Sequence, residues 1–216
     1  MAQHNRTSIG QFLERDMCLQ RDWYGSFDAV KPYLMDVLRE LSMDASILVL
    51  GSGLATLPLR LYEMGFRNVT CVDASATCCE MMKLNVEQAF GEEGVNAIRF
   101  QTLDVKELSN KLPTNHFDLV IDKAVLDYLF MEDNYDSYWE GVADTKEQHV
   151  RQVQQQVLLL LKQNCKWVAF SNYDYSMEPK FGEDREDLTI FENESCKQID
   201  AQFDEEENFF VYTLQK

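Results

Sequence analysis

A chain of 216 residues, 45% hydrophobic and 26% charged, suits one domain that buries a full core and leaves little room for a second. The formal net charge of -17 sets its surface against phosphate backbones and anionic membranes. Nucleic acid and membrane are therefore excluded as expected partners and a basic partner is favoured, although solubility alone also accounts for such a charge.

The six cysteines (Cys18, Cys71, Cys78, Cys79, Cys165, Cys196) show no C-x-x-C and no histidine pairing at zinc spacing. They read as reduced thiols of a cytosolic or similar compartment, with no metal site. The opening MAQHNRTSIG is polar and short of arginine, which favours the cytoplasm over a mitochondrial address. No window approaches the ~18 apolar residues of a membrane span.

Residues 1 to about 20 are polar, with a short helix expected around Phe12 to Cys18. From Phe27 to Leu41, the residues Val30, Leu34, Val37, Leu38 and Leu41 recur at helical spacing. SILVL (46–50) is an apolar run after Ser46, as in a strand buried on both faces. Leu54 to Met64 predicts a helix closed by Gly65, with Pro58 tolerable near its first turn. NVTCVD (68–73) predicts a second strand, and Ser75 to Phe90 a helix ending before Gly91.

AIRFQTL (97–103) and FDLVID (117–122) predict the third and fourth strands. A helix over Glu147 to Lys162 then precedes KWVAFS (166–171), the fifth. The tail carries two β signals, LTIFE (188–192) and NFFVYTLQ (208–215). This alternation predicts an α/β fold with a doubly wound, mostly parallel, Rossmann-like sheet of seven strands. Two consecutive strands at the end predict a hairpin and so a C-terminal antiparallel strand.

Ligands of such sheets bind at the strand carboxyl ends, where the winding reverses. Gly51, Asp73, Asp104 and Asp122 all fall at or just after predicted strand ends. Gly51-Ser52-Gly53 allows a sharp turn and a close backbone approach, and a helix starting at Leu54 would aim free N–H groups at the ligand. Asp73 can accept both hydroxyls of a ribose, or cap the helix that starts near Ser75. The dinucleotide fingerprint G-x-G-x-x-G is broken at Thr56, which demotes NAD, and no phosphate loop is present. S-adenosylmethionine fits what remains. Asp104 could accept from an adenine amino group with Val105 as an apolar wall, or could cap a turn.

Four stretches resemble the class I S-adenosylmethionine-dependent methyltransferases: RDWYGSF (21–27), ILVLGSG (47–53), RFQTLDVKEL (99–108) and FDLVIDKAVLDYL (117–129). More narrowly, they look like the methyltransferase-like branch holding the elongation factor 1-alpha lysine methyltransferases and the citrate synthase lysine methyltransferase. The likeness runs, with gaps, from about Asp22 to Ser171 and returns in FFVYTLQK (209–216). It implies residues 1–45 as an N-terminal helical segment packing on the cofactor site and 46–216 as the methyltransferase domain, one globular unit overall.

The resemblance further implies S-adenosyl-L-methionine as cofactor, held at Trp23, Gly51, Gly53, Asp73, Ala74, Asp104, Val105 and Lys123. It implies methyl transfer to a lysine of a basic protein substrate, a translation factor being one such. Tyr135, Tyr138 and Trp139 in MEDNYDSYWEG (131–141) are candidate substrate contacts, and Asp122 or Asp127 could hold the amine or be structural. The chain departs from the pattern at Leu54-Ala55, where the family has Asn-Ser, and at Ala124-Val125, where it has Gly-Thr. It departs again at Gln163-Asn164-Cys165, where the family has Pro-Gly-Gly. A small-molecule methyltransferase and a catalytically silent binding module are the alternatives.

Overall fold

The computed structural model describes residues 26–131, 142–172, 197–204 and 209–216. Trp23, the expected helix near Phe12, the aromatics of 132–141, the LTIFE stretch, Cys18 and Cys196 lie outside those residues.

Helix α1 (Phe27–Arg39) buries Phe27, Val30, Leu34, Val37 and Leu38, the stripe set out by its periodicity. Strand β1 (Ser46–Leu50) is buried along its whole length. Its alternating side chains feed two separate cores. Ile47 and Val49 pack with α1, with α2 (Leu57–Glu63) and with α3 (Ala76–Ala97). Leu48 and Leu50 pack with α4 (Val125–Met131) and α5 (Val142–Leu160). A strand covered by helices on both faces has no solvent face to show in its sequence, hence the unbroken apolar run.

The strands β2 (Asn68–Asp73), β3 (Ile98–Thr102), β4 (Phe117–Lys123), β5 (Leu161–Ser171), β6 (Lys197–Asp204) and β7 (Phe209–Gln215) complete the sheet. It has seven strands in the order β3-β2-β1-β4-β5-β7-β6. The β1–β2, β2–β3, β1–β4 and β4–β5 pairs are parallel, and β7 runs antiparallel to both β5 and β6. The expected doubly wound sheet with its antiparallel closing strand is therefore present. Winding reverses between β1 and β4, which opens the crevice at their carboxyl ends.

Two expectations are corrected. Helix α2 starts at Leu57 rather than Leu54, because a helix begun at Leu54 would drive the Pro58 ring into the Leu54 carbonyl; from Leu57, Pro58 falls in the first turn. The helix is thus two turns long and is separated from Gly53 by Leu54, Ala55 and Thr56. Strand β5 begins at Leu161, directly after α5, rather than at Lys166. Its pairing with β4 is irregular between Phe117 and Leu119, and Asn164 takes φ 63° there. Helix α3 breaks at Gly91 (φ 64°), where its sequence pattern ends.

Candidate cofactor site

Gly51 and Gly53 end β1 with φ of 52° and 49°, a left-handed path that glycine takes without a Cβ penalty. The Ser52 N–H between them donates to the Val72 carbonyl at 3.1 Å, so the turn stays attached to β2. Asp73, the last residue of β2, accepts from the Gly53 N–H at 2.7 Å through Oδ2 and from the Ser75 N–H at 2.8 Å through Oδ1. It is not the helix cap: Ser75 is, its hydroxyl accepting from the Cys78 N–H at 3.2 Å. Each Asp73 oxygen has taken one N–H, which leaves a carboxylate with acceptor capacity for two more donors.

The next loop continues the same rim. The Leu103 N–H donates to the Asp73 carbonyl at 3.0 Å, fixing the β3 exit beside the β2 exit. Asp104 caps the 3-10 segment Val105–Asn110, its Oδ1 accepting from the Lys106 N–H at 2.8 Å. The capping alternative left open by the sequence is therefore realised, and Asp104 is exposed while Val105 is half-buried against the core. Ala74 is exposed just past Asp73. Lys123, the last residue of β4, is buried rather than solvated.

Beyond β4 the two acids divide. Asp127, buried on α4, accepts from the Ser171 hydroxyl and from the Asn172 N–H, the latter at 3.0 Å, and so ties α4 to the end of β5. Asp122 accepts the Val125 N–H through Oδ1 at 2.8 Å, while its buried Oδ2 has no hydrogen-bond partner. Burial pushes its carboxyl up to about 7, against which the α4 N–H groups pull down. The hydroxyl of Ser52 is likewise buried and unpartnered.

The structure thus brings Gly51, Gly53, Asp73, Ala74, Asp104, Val105 and Lys123 to adjacent carboxyl ends of β1 to β4. Ser52 escaped the sequence reading; its only signal there was a polar residue between two glycines. S-adenosylmethionine is a fair fit to what this crevice offers. A zwitterionic amino-acid tail carries donors and acceptors for the unpartnered Ser52 and Asp122 oxygens, and vicinal hydroxyls suit the spare Asp73 lone pairs. Among the described residues no cluster of histidine, cysteine and acid has the form of a metal site. No described helix is long and apolar enough to cross a membrane.

Comparison with known proteins agrees with the geometry. Residues 48–143 match the family described as methyltransferase domain. The mouse protein named EEF1A lysine methyltransferase 4 is 34% identical over 106 residues, 49% of this chain and 37% of that protein. Human EEF1A lysine methyltransferase 2 is 22% identical over 148 residues, covering 67% of this chain and 58% of that protein. The chain therefore spans well under two thirds of the length of these relatives. TrmN from Thermus thermophilus superposes with a TM-score of 0.59 at 14% identity, over 87% of this chain and 48% of that one. The Haemophilus influenzae protein HI0767 gives 0.56 at 15% identity, over 87% and 96%. These likenesses show the fold. With the family match they bear out the resemblance to class I S-adenosylmethionine-dependent methyltransferases of the EEF1A lysine methyltransferase kind.

Proposed function

We propose that this chain is an S-adenosylmethionine-dependent methyltransferase whose acceptor is a lysine of a basic protein. The observation that carries the reading is Asp73, which closes β2, pins the glycine turn through Gly53 and keeps acceptor capacity for two more donors. The mouse and human relatives are named for methylating lysine on a translation factor, and the net charge of -17 suits a basic acceptor. A translation factor is accordingly the first acceptor to try, and a cytoplasmic address goes with it.

In this reading Asp73 accepts the ribose hydroxyls, and Asp104 and Val105 bound the adenine. Gly51, Gly53 and Ala74 let the backbone come close, and Lys123 and Ser52 serve the amino-acid tail. The N-terminal segment 1–45 is assigned to pack on the cofactor site, with Trp23 as a cofactor contact; Trp23 and the rest of residues 1–25 lie outside the described residues. The cofactor supplies an electrophilic methyl on a sulfonium that leaves without an acid. The chain's task is then to hold a deprotonated amine in line and keep water out. No side chain is assigned as base, because Asp127 is committed to Ser171 and Asn172, and Asp122 caps α4 from a buried position.

One observation favours a second reading, a catalytically silent module. Ala124 adopts φ 76°, a conformation suited to the glycine that the family carries there, and Val125 packs where a Gly51 Cβ would stand, 2.2 Å from its Cγ2. The pair narrows the corner between the glycine turn and α4. Methyl-labelled S-adenosylmethionine, the purified chain and a basic-protein fraction decide between the two. Recovery of methyl-lysine after acid hydrolysis is the expected result; labelled cofactor that binds without any transfer, across protein and metabolite acceptors, would favour the silent module.

A further inference from the structure

The loop after β3 is held from two sides. On one side, Leu103 donates to the Asp73 carbonyl. On the other, helix α5 reaches across with two glutamines one turn apart. The Gln152 Nε2 donates to the Lys106 carbonyl at 3.1 Å, and the Gln156 Oε1 accepts from the Ser109 N–H at 2.8 Å. The 3-10 segment between them is irregular, with Glu107 at φ -129° and ψ 21°. Short segments of this kind leave backbone groups without internal partners, and these two are completed by side chains from a distant element. Lys106 itself donates its N–H to Asp104, so the clamp on Lys106 bears directly on the aspartate two residues away.

Leu108 explains why the clamp can be tested apart from folding. It is fully buried and shares a core with Val150, Val153 and Val157 of α5. That apolar anchor holds the segment onto the helix. The glutamines, half-buried at the edge, add only orientation.

We infer that Gln152 and Gln156 are positioning residues that set Asp104 and Val105 at the adenine edge of the cofactor, so that helix α5 fixes the base selectivity of the site. The inference rests on the proposed cofactor site. Asp104 is exposed, and with a free loop its carboxylate would face water instead of a fixed point on the base. With the loop clamped, a 6-amino group meets an acceptor in place, whereas a 6-oxo group meets an oxygen with no proton to share.

The experiment titrates the intact chain with S-adenosylhomocysteine and with its 6-oxo analogue, S-inosylhomocysteine, by calorimetry. The variants are Gln152→Leu, Gln156→Leu, Gln156→Glu (which retains an acceptor oxygen) and Asp104→Asn, with circular dichroism on each. Either leucine variant alone is expected to weaken the adenosine ligand by roughly threefold to tenfold, the worth of one hydrogen bond, and leave the inosine ligand nearly unchanged. Gln156→Glu should restore the preference, and Asp104→Asn should abolish it in every background. Equal weakening of both ligands, or an intact preference in both leucine variants while Asp104→Asn loses it, overturns the positioning role and leaves the site reading standing. Absence of S-adenosylhomocysteine binding by the parent chain overturns both.

Discussion

Gly51 combines two constraints that a single methyl group violates together. An alanine there would sit at φ 52° and place its Cβ 2.2 Å from Val125 Cγ2. The left-handed backbone and the overpacking together cost about 2–4 kcal/mol, readable as a lower urea midpoint for Gly51→Ala. Adding Val125→Ala relieves the packing share only, so the double variant should recover part of the loss, with a coupling of about 1 kcal/mol. Additive losses would place the Val125 contact elsewhere. Asp122 has a pH signature of its own. Its carboxyl lies near 7 in the fold against 3.8 for an ordinary aspartate. Between those values the folded state binds the extra proton, so stability falls as pH rises from about 4 to about 7 and the cost is fully present above that. Asn keeps an oxygen for the Val125 N–H and carries no charge. Asp122→Asn should thus flatten that slope and exceed the parent in melting temperature at pH 8, with the gap closing towards pH 4; an unchanged slope would contradict the burial cause.

At the scale of elements, Asp118 near the start of β4 ties three of them. It accepts the buried Ser46 N–H of β1 at 2.9 Å and the Lys162 Nζ of β5 at 2.8 Å. Asp118→Ala orphans a buried N–H and should cost about 1–3 kcal/mol, whereas Lys162→Met, at a half-exposed pair, should stay within about 1 kcal/mol. Equal effects would assign the stabilisation to the ion pair instead. The elements also show what was legible beforehand. SILVL, NVTCVD and FDLVID could be read because both faces of central parallel strands are covered, so their sequences carry no competing polar period. Strand β6, KQIDAQFD, went unread because its pairing is decided by β7, a partner that local pattern does not reveal. The start of α2 was misplaced since helical spacing outweighed the clash that Pro58 imposes. Of the site, the residues at strand ends could be found from the glycines and acids. Ser52, Gln152 and Gln156 could not, because their meaning lies in unpaired or long-range hydrogen bonds.

The whole molecule joins a neutral, tightly packed sheet to a surface of net charge -17. Under the proposed function the charge would act at long range on a basic acceptor, and acceptor capture should then decline as salt shortens the screening length. The crevice acts at short range, and backbone N–H groups from the exits of β1, β2 and β3 converge on Asp73. Whether this crevice is an S-adenosylmethionine site can be read from one calorimetric series: the intact chain and Asp73→Ala, each titrated with S-adenosylmethionine, S-adenosylhomocysteine and NAD. Both sulfur ligands should bind with roughly micromolar affinity, NAD should not bind, and the variant should lose about tenfold or more. Binding of NAD in place of the sulfur ligands, or no binding of any of the three, would contradict the proposed site.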